Sequence, residues 1–201
     1  MKIRVRVLLP LFVLSMALAG VALAQEPAQP AGPSQAEMEA MMKAMSPGPE
    51  HQQMARMVGD WDFTSKMWMA PGAQPSESSG TVHAESILGG RYIQTTWKGN
   101  FMGMDFEGHG TEGYDNLAKK YVSSWVDNMS TGILYTTGTC EQGGKVCRQA
   151  GSMIDPMTGK DSPWKSVATW TDNNTFQLEM FGNDPTGKEM KMMEFTVKRK
   201  K

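Results

Sequence analysis

The chain is poor in the residues that build catalytic and metal centres, since its 201 residues include two Cys and three His. His51, His83 and His109 are far apart and lack metal-ligand spacing, so we expect no zinc site. The Gly-x-Ser-x-Gly motif is absent, and the glycine-rich stretch 103–113 lacks the Lys-Ser/Thr pair of a phosphate-binding loop. These absences argue against the common hydrolase, zinc and nucleotide sites, and no cofactor is predicted.

Neither sign of charge is in large excess, because 20 Lys and Arg stand against 21 Asp and Glu. A nucleic-acid-binding protein would show a clustered basic face, so no nucleic-acid partner is expected. The long apolar run, Val7 to Gly20, is short for a membrane span of about 20 residues and contains Pro10. The hydrophobic residues, 40% of the chain, are too evenly spread for a membrane protein with several spans.

The first 24 residues have the three parts of a secretory signal peptide. Lys2, Arg4 and Arg6 precede the apolar run, and the small-x-small triplet 22–24 follows it. Cleavage after Ala24 removes three basic residues and no acidic ones, which leaves a net charge of −4. An uncleaved anchor is the alternative. The sequence predicts a periplasmic or secreted bacterial protein with no integral membrane span after cleavage.

Three parts are expected: the signal peptide 1–24, a flexible leader with a short helix at 25–47, and a β domain at 48–201. Ser34 and Glu37 have the spacing of a capping box, which predicts a helix over about 35–45. One face of this helix consists of methionines at offsets of three and four, namely Met38, Met41, Met42 and Met45. We expect this face to pack on the body or to be disordered; the alternative is a docking surface for a partner.

From Asp60 to Arg199 the chain alternates apolar and polar residues between Gly, Asn and Asp turns, which is typical of an antiparallel sandwich or barrel. About ten strands are expected, and closure into an up-and-down barrel would remove exposed edges. Met190 and Met192 are out of phase with Met193, which predicts a bulge near Met192 or a strand covered on both faces. The predicted fold class is all-β, behind a short N-terminal helical segment.

Cys140 and Cys147 flank a Gly-Gly turn that would place them opposite each other on adjacent strands. In an exported chain, two facing cysteines predict a disulfide. A two-residue turn would place them at a hydrogen-bonded pair, whereas a four-residue loop keeps the same partners at a closer one. A redox pair is the alternative, but the C-x-x-C spacing and an adjacent helix N-terminus are missing.

Aromatic and polar residues alternate into common faces on three strands, and such faces suit a partly polar cavity better than a dry core. The faces consist of Arg91, Ile93, Thr95 and Trp97; of Tyr121, Ser123, Trp125 and Asp127; and of Trp164, Ser166, Ala168 and Trp170. We assign Arg91, Trp97, Trp125 and Asp127 to the binding of a small, partly apolar ligand. The alternative is a solvated exterior with tryptophans at its edges.

Two sets of motifs resemble known families. Gly59 and Trp61 on the first strand, with Arg199 ending the last, resemble the lipocalin (calycin) arrangement, in which a Gly-x-Trp packs under a basic residue at the end of the barrel. Motifs over about 48–199, including LGGRY at 88–92, GYDN at 113–116 and WVDNMSTG at 125–132, resemble an uncharacterised bacterial domain of unknown function. That resemblance implies a lipocalin-like barrel and a frequent signal peptide, with no activity, substrate or catalytic residue. Heme-binding relatives of this barrel type use a C-terminal His, and none follows His109.

Binding of a small, partly apolar ligand is therefore the predicted function. One alternative is an enzyme acting on such a molecule, with Asp127, Arg91 or His109 as its polar groups. The other is a structural or partner-binding envelope protein that uses the methionine face. The sequence leaves the ligand and the oligomeric state open.

The signal peptide yields a direct prediction, because the cleavage pattern specifies one bond. The mature protein should begin at Gln25. N-terminal sequencing of protein from the periplasm or the medium measures this. Recovery of Met1, or of a form retained in the membrane, would contradict the cleavage site.

Overall fold

The computed structural model describes residues 32–101, 103–155 and 158–201, so the predicted signal peptide and its cleavage site lie outside it. Ten antiparallel strands each pair with their neighbours in sequence, and the last pairs with the first, which closes an up-and-down barrel. The predicted all-β barrel is confirmed. Its strands are β1 (Gly59–Met67), β2 (Ser76–Ile87), β3 (Tyr92–Phe101), β4 (Met104–Asp115), β5 (Lys120–Asp127), β6 (Leu134–Glu141), β7 (Val146–Ile154), β8 (Asp161–Asp172), β9 (Thr175–Asn183) and β10 (Glu189–Arg199).

Two short helices and a 3₁₀ turn precede the barrel: α1 (Gln35–Ala44), α2 (Pro49–Met54) and the turn Ala55–Met57. The capping box of α1 is formed, since the Glu37 N–H donates to Ser34 Oγ at 3.3 Å and the Ser34 N–H donates to the Glu37 carboxylate at 2.7 Å. The helix buries no side chain, and its three methionines and the C-cap residue Met45 are 43–64% exposed. The expectation that this face packs on the body is therefore wrong.

The segment Pro49–Met57 closes the end of the barrel at which β1 begins, and we call this the capped end. Met54 is buried against Ala84 and Ile93 on the inner faces of β2 and β3. The Trp61 indole N–H donates to the Met57 carbonyl at 2.8 Å. Apolar packing and this hydrogen bond fix the segment across the capped end.

Two arginines at the capped end lie over tryptophan rings. The Arg199 guanidinium carbon is 4.0 Å from the centroid of the Trp61 ring, and its Nη1 donates to the Val58 carbonyl at 2.7 Å. The Arg56 guanidinium carbon is 3.9 Å from the Trp170 ring, and its Nη2 donates to the Gly144 carbonyl. Both pairs have cation–π geometry, and they join the N-terminal segment to the end of β10, to β8 and to the loop between β6 and β7.

The hydrophobic core is an aromatic cluster on one side of the lumen. Its rings meet mainly edge to face, for example Phe63 with Phe195 at 5.5 Å and Trp61 with Phe176 at 5.7 Å between centroids. The buried members come from β1, β2, β3, β8, β9 and β10: Trp61, Phe63, Val82, Trp97, Phe101, Trp170, Phe176, Phe195 and Val197. Close packing of this cluster fills the lumen along those strands.

Two local predictions are confirmed. Cys140 and Cys147 form a disulfide, and they pair directly between β6 and β7. The strands are joined by the four-residue loop 142–145, because Glu141 still pairs with Val146. On β10, the register with β9 shifts between Lys191 and Met193, which is the predicted bulge at Met192.

Trp61 and Trp125 provide a matched test of where the core lies. Trp61 is 0% exposed beneath Arg199, whereas Trp125 is half-buried. Trp61→Ala should lower the free energy of unfolding by about 3–5 kcal/mol, and Trp125→Ala should lower it clearly less. Urea denaturation of the two variants measures the difference. Equal midpoints at equal slopes would contradict this placement of the core.

Candidate functional site in the barrel lumen

The side of the lumen along β4 to β8 carries several small and polar side chains beside aromatic ones such as Trp125 and Trp164. Cross-strand partners point to the same face of a sheet, and the register pairs buried Ile93 with Glu112, Glu112 with Ser123, and Ser123 with buried Thr136. All four side chains therefore point into the barrel. On β7 and β8 the same face carries Gln149, Ser166 and Ala168.

Several of these inward-facing residues are nevertheless partly exposed, in contrast to the aromatic side of the lumen. Glu112, Ser123, Gln149 and Ser166 all retain intermediate exposure. A side chain that points into a barrel can be exposed only to space within it or at its ends. These residues therefore border space that a water-sized molecule can reach.

A hydrogen-bonded cluster joins β5, β6 and β7 on this face. Thr136 Oγ1 donates to Gln149 Oε1 at 2.6 Å, Ser123 Oγ donates to the same oxygen at 3.1 Å, and the two hydroxyl oxygens are 2.6 Å apart. The amide nitrogen of Gln149 has no acceptor among the described residues. Among the described residues, Ser65 Oγ is the side-chain atom that is both fully buried and unpartnered. The unpartnered amide nitrogen of Gln149 therefore keeps some surface that solvent can reach.

Glu112 lies beside this cluster with a carboxyl group that no other described residue hydrogen-bonds. Neither carboxyl oxygen is both fully buried and unpartnered, so the Glu112 carboxyl, like the Gln149 amide, keeps some accessible surface. Its exposure is to the lumen, where the surrounding walls still remove most of its hydration. Burial therefore raises the pKa of Glu112 above the ordinary value of 4.5.

Trp125 forms the boundary between the polar side and the aromatic core. Its ring lies directly on β4, where a Cβ at Gly108 would come within 2.2 Å of the indole, so glycine is required there. The ring stacks on Phe106 at 6.3 Å and meets Trp97 edge to face at 6.3 Å. Its Nε1 donates to Asp127 Oδ2 at 2.8 Å. These contacts hold the indole in one orientation.

The structure brings together three of the four residues assigned to the ligand from sequence. Trp97, Trp125 and Asp127 are contiguous on the inner faces of β3 and β5. Arg91 is separate, since it precedes β3 in an exposed turn near the capped end. Its guanidinium donates to the Leu88 carbonyl at 3.2 Å and the Met45 carbonyl at 2.9 Å, so it joins the end of α1 to the barrel.

His109 is also outside the lumen. It lies on the outer face of β4, where Nδ1 is 3.2 Å from Thr96 Oγ1 and Nε2 is 3.1 Å from a Glu107 carboxylate oxygen. Across the described ranges, no group of three or more His, Cys, Asp or Glu is arranged to hold a metal ion. Nor does any described helix have the length and apolarity to cross a membrane.

Sequence reasoning did not single out Glu112, Thr136 and Gln149. The inward-facing residues of β4 are Phe106, Gly108, Gly110 and Glu112. This series is not consistently apolar, so the sequence does not show which residues of β4 face the lumen. The cluster also joins three strands, and only their register brings its members together. A useful signal was the polar Ser123 on the same face as Trp125.

The fold and its half-polar lumen define a small, closed, antiparallel β-barrel protein. Residues 46–199 match the family model described as "Protein of unknown function (DUF1579)". The chain belongs to this family. No curated protein matches the sequence significantly.

Similar barrels occur among solved structures. The crystal structure of Rv2717c from M. tuberculosis aligns over 78% of this chain and 100% of that chain, with a TM-score of 0.57 and 12% identity. At that identity the likeness concerns the fold alone. A redesigned β-barrel aligns over 73% of this chain and 94% of its own, with 14% identity, but its TM-score of 0.38 is too low to bear on the fold.

The raised pKa of Glu112 predicts how stability depends on pH. Between the ordinary value of 4.5 and the raised value, the folded state binds more protons than the unfolded state, so stability falls as pH rises. The loss should be about 1.4 kcal/mol for each pKa unit of difference. Urea unfolding at about pH 5 and about pH 8 measures it.

Two variants on β4 separate this effect from others. Glu112→Gln should remove the decline in stability, because an amide does not titrate. Glu107→Gln changes an outward-facing carboxyl on the same strand and should leave the decline intact. A decline that survives in Glu112→Gln would show that another group causes it.

Proposed function

We propose that the protein is an exported barrel that binds a small, partly apolar molecule in the polar side of its lumen. The observation that carries the proposal is the group of inward-facing residues that remain partly exposed, with no hydrogen-bond partner for the Glu112 carboxyl or the Gln149 amide nitrogen among the described residues. A ligand that covers these groups must supply hydrogen-bond partners for them, because an unpartnered buried polar group costs roughly 1–3 kcal/mol.

Aromatic surface beside the polar groups supports a ligand of mixed character. Trp125 is half-buried, with its orientation fixed by Asp127 and by the glycines beneath it, so its free surface is preorganised. Trp164 on β8 is also partly exposed on the inner face, since it pairs with Gly151, the partner of Thr136. Pockets for small molecules combine such apolar walls with a few placed polar groups.

Export is part of the proposal. The signal-peptide pattern at 1–24 and the Cys140–Cys147 disulfide both suit an oxidising compartment such as the periplasm. A receptor for small molecules in that compartment would sample them as they enter or leave the cell.

Filling the lumen tests the proposal. Ser166 faces inward between Gln149 and Met180, and its neighbour Val167 faces outward between Arg148 and Glu179. Ser166→Leu should abolish binding and change stability little if the space is open, whereas overpacking a filled core would cost about 1–3 kcal/mol. Val167→Leu adds the same side chain to the outer face and should keep binding.

The readout is native mass spectrometry of the three proteins purified from the host, with urea unfolding of each. We expect a small molecule that co-purifies with the wild type and Val167→Leu and is lost from Ser166→Leu. A bound molecule retained by Ser166→Leu, or a wild type without any bound molecule, would contradict the proposal.

A further inference from the structure

Hydrogen-bond donors surround one point of the lumen, where Glu112 meets the polar cluster. Glu112 and Ser123 are direct partners across β4 and β5, and such side chains have Cβ atoms about 4.5–5.5 Å apart. Gln149 reaches the same point, since its Oε1 is 3.1 Å from Ser123 Oγ. Glu112 and Gln149, 37 residues apart in sequence, therefore both neighbour Ser123 on the inner face.

The donor hydrogens of this cluster can be compared with the acceptors that the protein provides for them. Ser123 and Thr136 each have one hydroxyl hydrogen, and these two hydrogens serve the contacts of the hydroxyls with Gln149 Oε1 and with each other. Gln149 Nε2 keeps two donor hydrogens without an acceptor among the described residues. A carboxyl group in its neutral form adds one more O–H donor. The described partners therefore leave an excess of donors facing the lumen.

We infer that Glu112, acting as a neutral acid beside the Gln149 amide, selects an uncharged ligand with an acceptor oxygen, of the ketone, ester or amide class. This inference rests on the proposed function and names the ligand class for that site. An anionic ligand would be opposed once Glu112 ionises, and a cation would lack an ionised partner at lower pH. A carbonyl oxygen can accept from both groups at once.

Among the described residues, no basic side chain hydrogen-bonds or ion-pairs with the Glu112 carboxyl. The charge of Arg56 acts on nearby Tyr121 and partly offsets the rise in the pKa of that tyrosine, whereas burial is the cause of the raised pKa of Glu112. On its own strand the next inward residue is Tyr114, on β5 it is Tyr121, and β3 presents Ile93 and Thr95. Burial, together with the charge of Glu50, raises the pKa of both tyrosines, so they stay neutral.

The capping segment contributes the remaining titratable groups on this side of the barrel. His51 Nδ1 accepts the Gly48 N–H at 3.0 Å. The Arg56 guanidinium donates to the Gly144 carbonyl and lies over Trp170, and Glu50 belongs to the first turn of α2. The titration of Glu112 is therefore expected to dominate the pH dependence of binding.

The neutral fluorescent ketone Prodan tests the inference, because its emission moves to longer wavelength when its carbonyl accepts a hydrogen bond. Its affinity for the wild type should fall by up to about tenfold per pH unit above the pKa of Glu112. Glu112→Gln keeps a donor without a titration, so it should bind at every pH. Glu112→Leu loses the donor, and its affinity at low pH should fall about 3- to 10-fold.

His109→Gln is the matched control, because it removes an outward-facing titratable group from the same strand. It should keep the wild-type pH profile, and Ser166→Leu should block the probe at every pH. The wild-type profile with the His109 control decides the matter even where Glu112→Gln does not fold.

The outcomes separate the two claims. Binding to the wild type that does not change with pH, or a pH profile that survives in Glu112→Gln, overturns the role of Glu112 and leaves lumen binding intact. No binding of Prodan to the wild type at any pH contradicts the proposed function, and the inference falls with it.

Discussion

The seam between β1 and β10 is the constraint on which the rest of the molecule depends, because a sheet without it would have two exposed edges. Trp61 pairs with Arg199 across this seam, and the guanidinium of Arg199 lies over the buried indole. The same guanidinium donates to the Val58 carbonyl, so one side chain joins the first strand, the last strand and the capping segment. These contacts can form only after the chain has been synthesised as far as Arg199.

Closure leaves the barrel with two unlike sides. Bulky rings from strands near the seam, such as Phe63 and Phe195, interlock and exclude water. Strands far from the seam contribute Ser123, Gln149 and Ser166, which are too small or too polar to fill the same volume. The aromatic side stabilises the fold, and the polar side is where we propose that a ligand binds. Trp125 separates the two.

Much of the fold was predictable because its signals are local. The capping box at Ser34, the alternation of the strands, the bulge at Met192 and the pairing of the cysteines each depend on residues close in sequence. The candidate site was predictable only in part. Trp97, Trp125 and Asp127 share the inner faces of β3 and β5. Arg91 was assigned to the same face because it continues the alternation of β3, but β3 begins one residue later and Arg91 lies in the preceding turn.

The sequence by itself determined the strands, the turns, the disulfide and the all-β class, since period-two alternation and turn residues specify these without distant contacts. Tertiary structure alone decided which polar residues meet. Glu112, Thr136 and Gln149 lie on three strands, and their proximity follows from register and barrel closure, which no local pattern encodes. It also decided that the methionine face of α1 stays exposed, because burial depends on whether a partner surface is within reach.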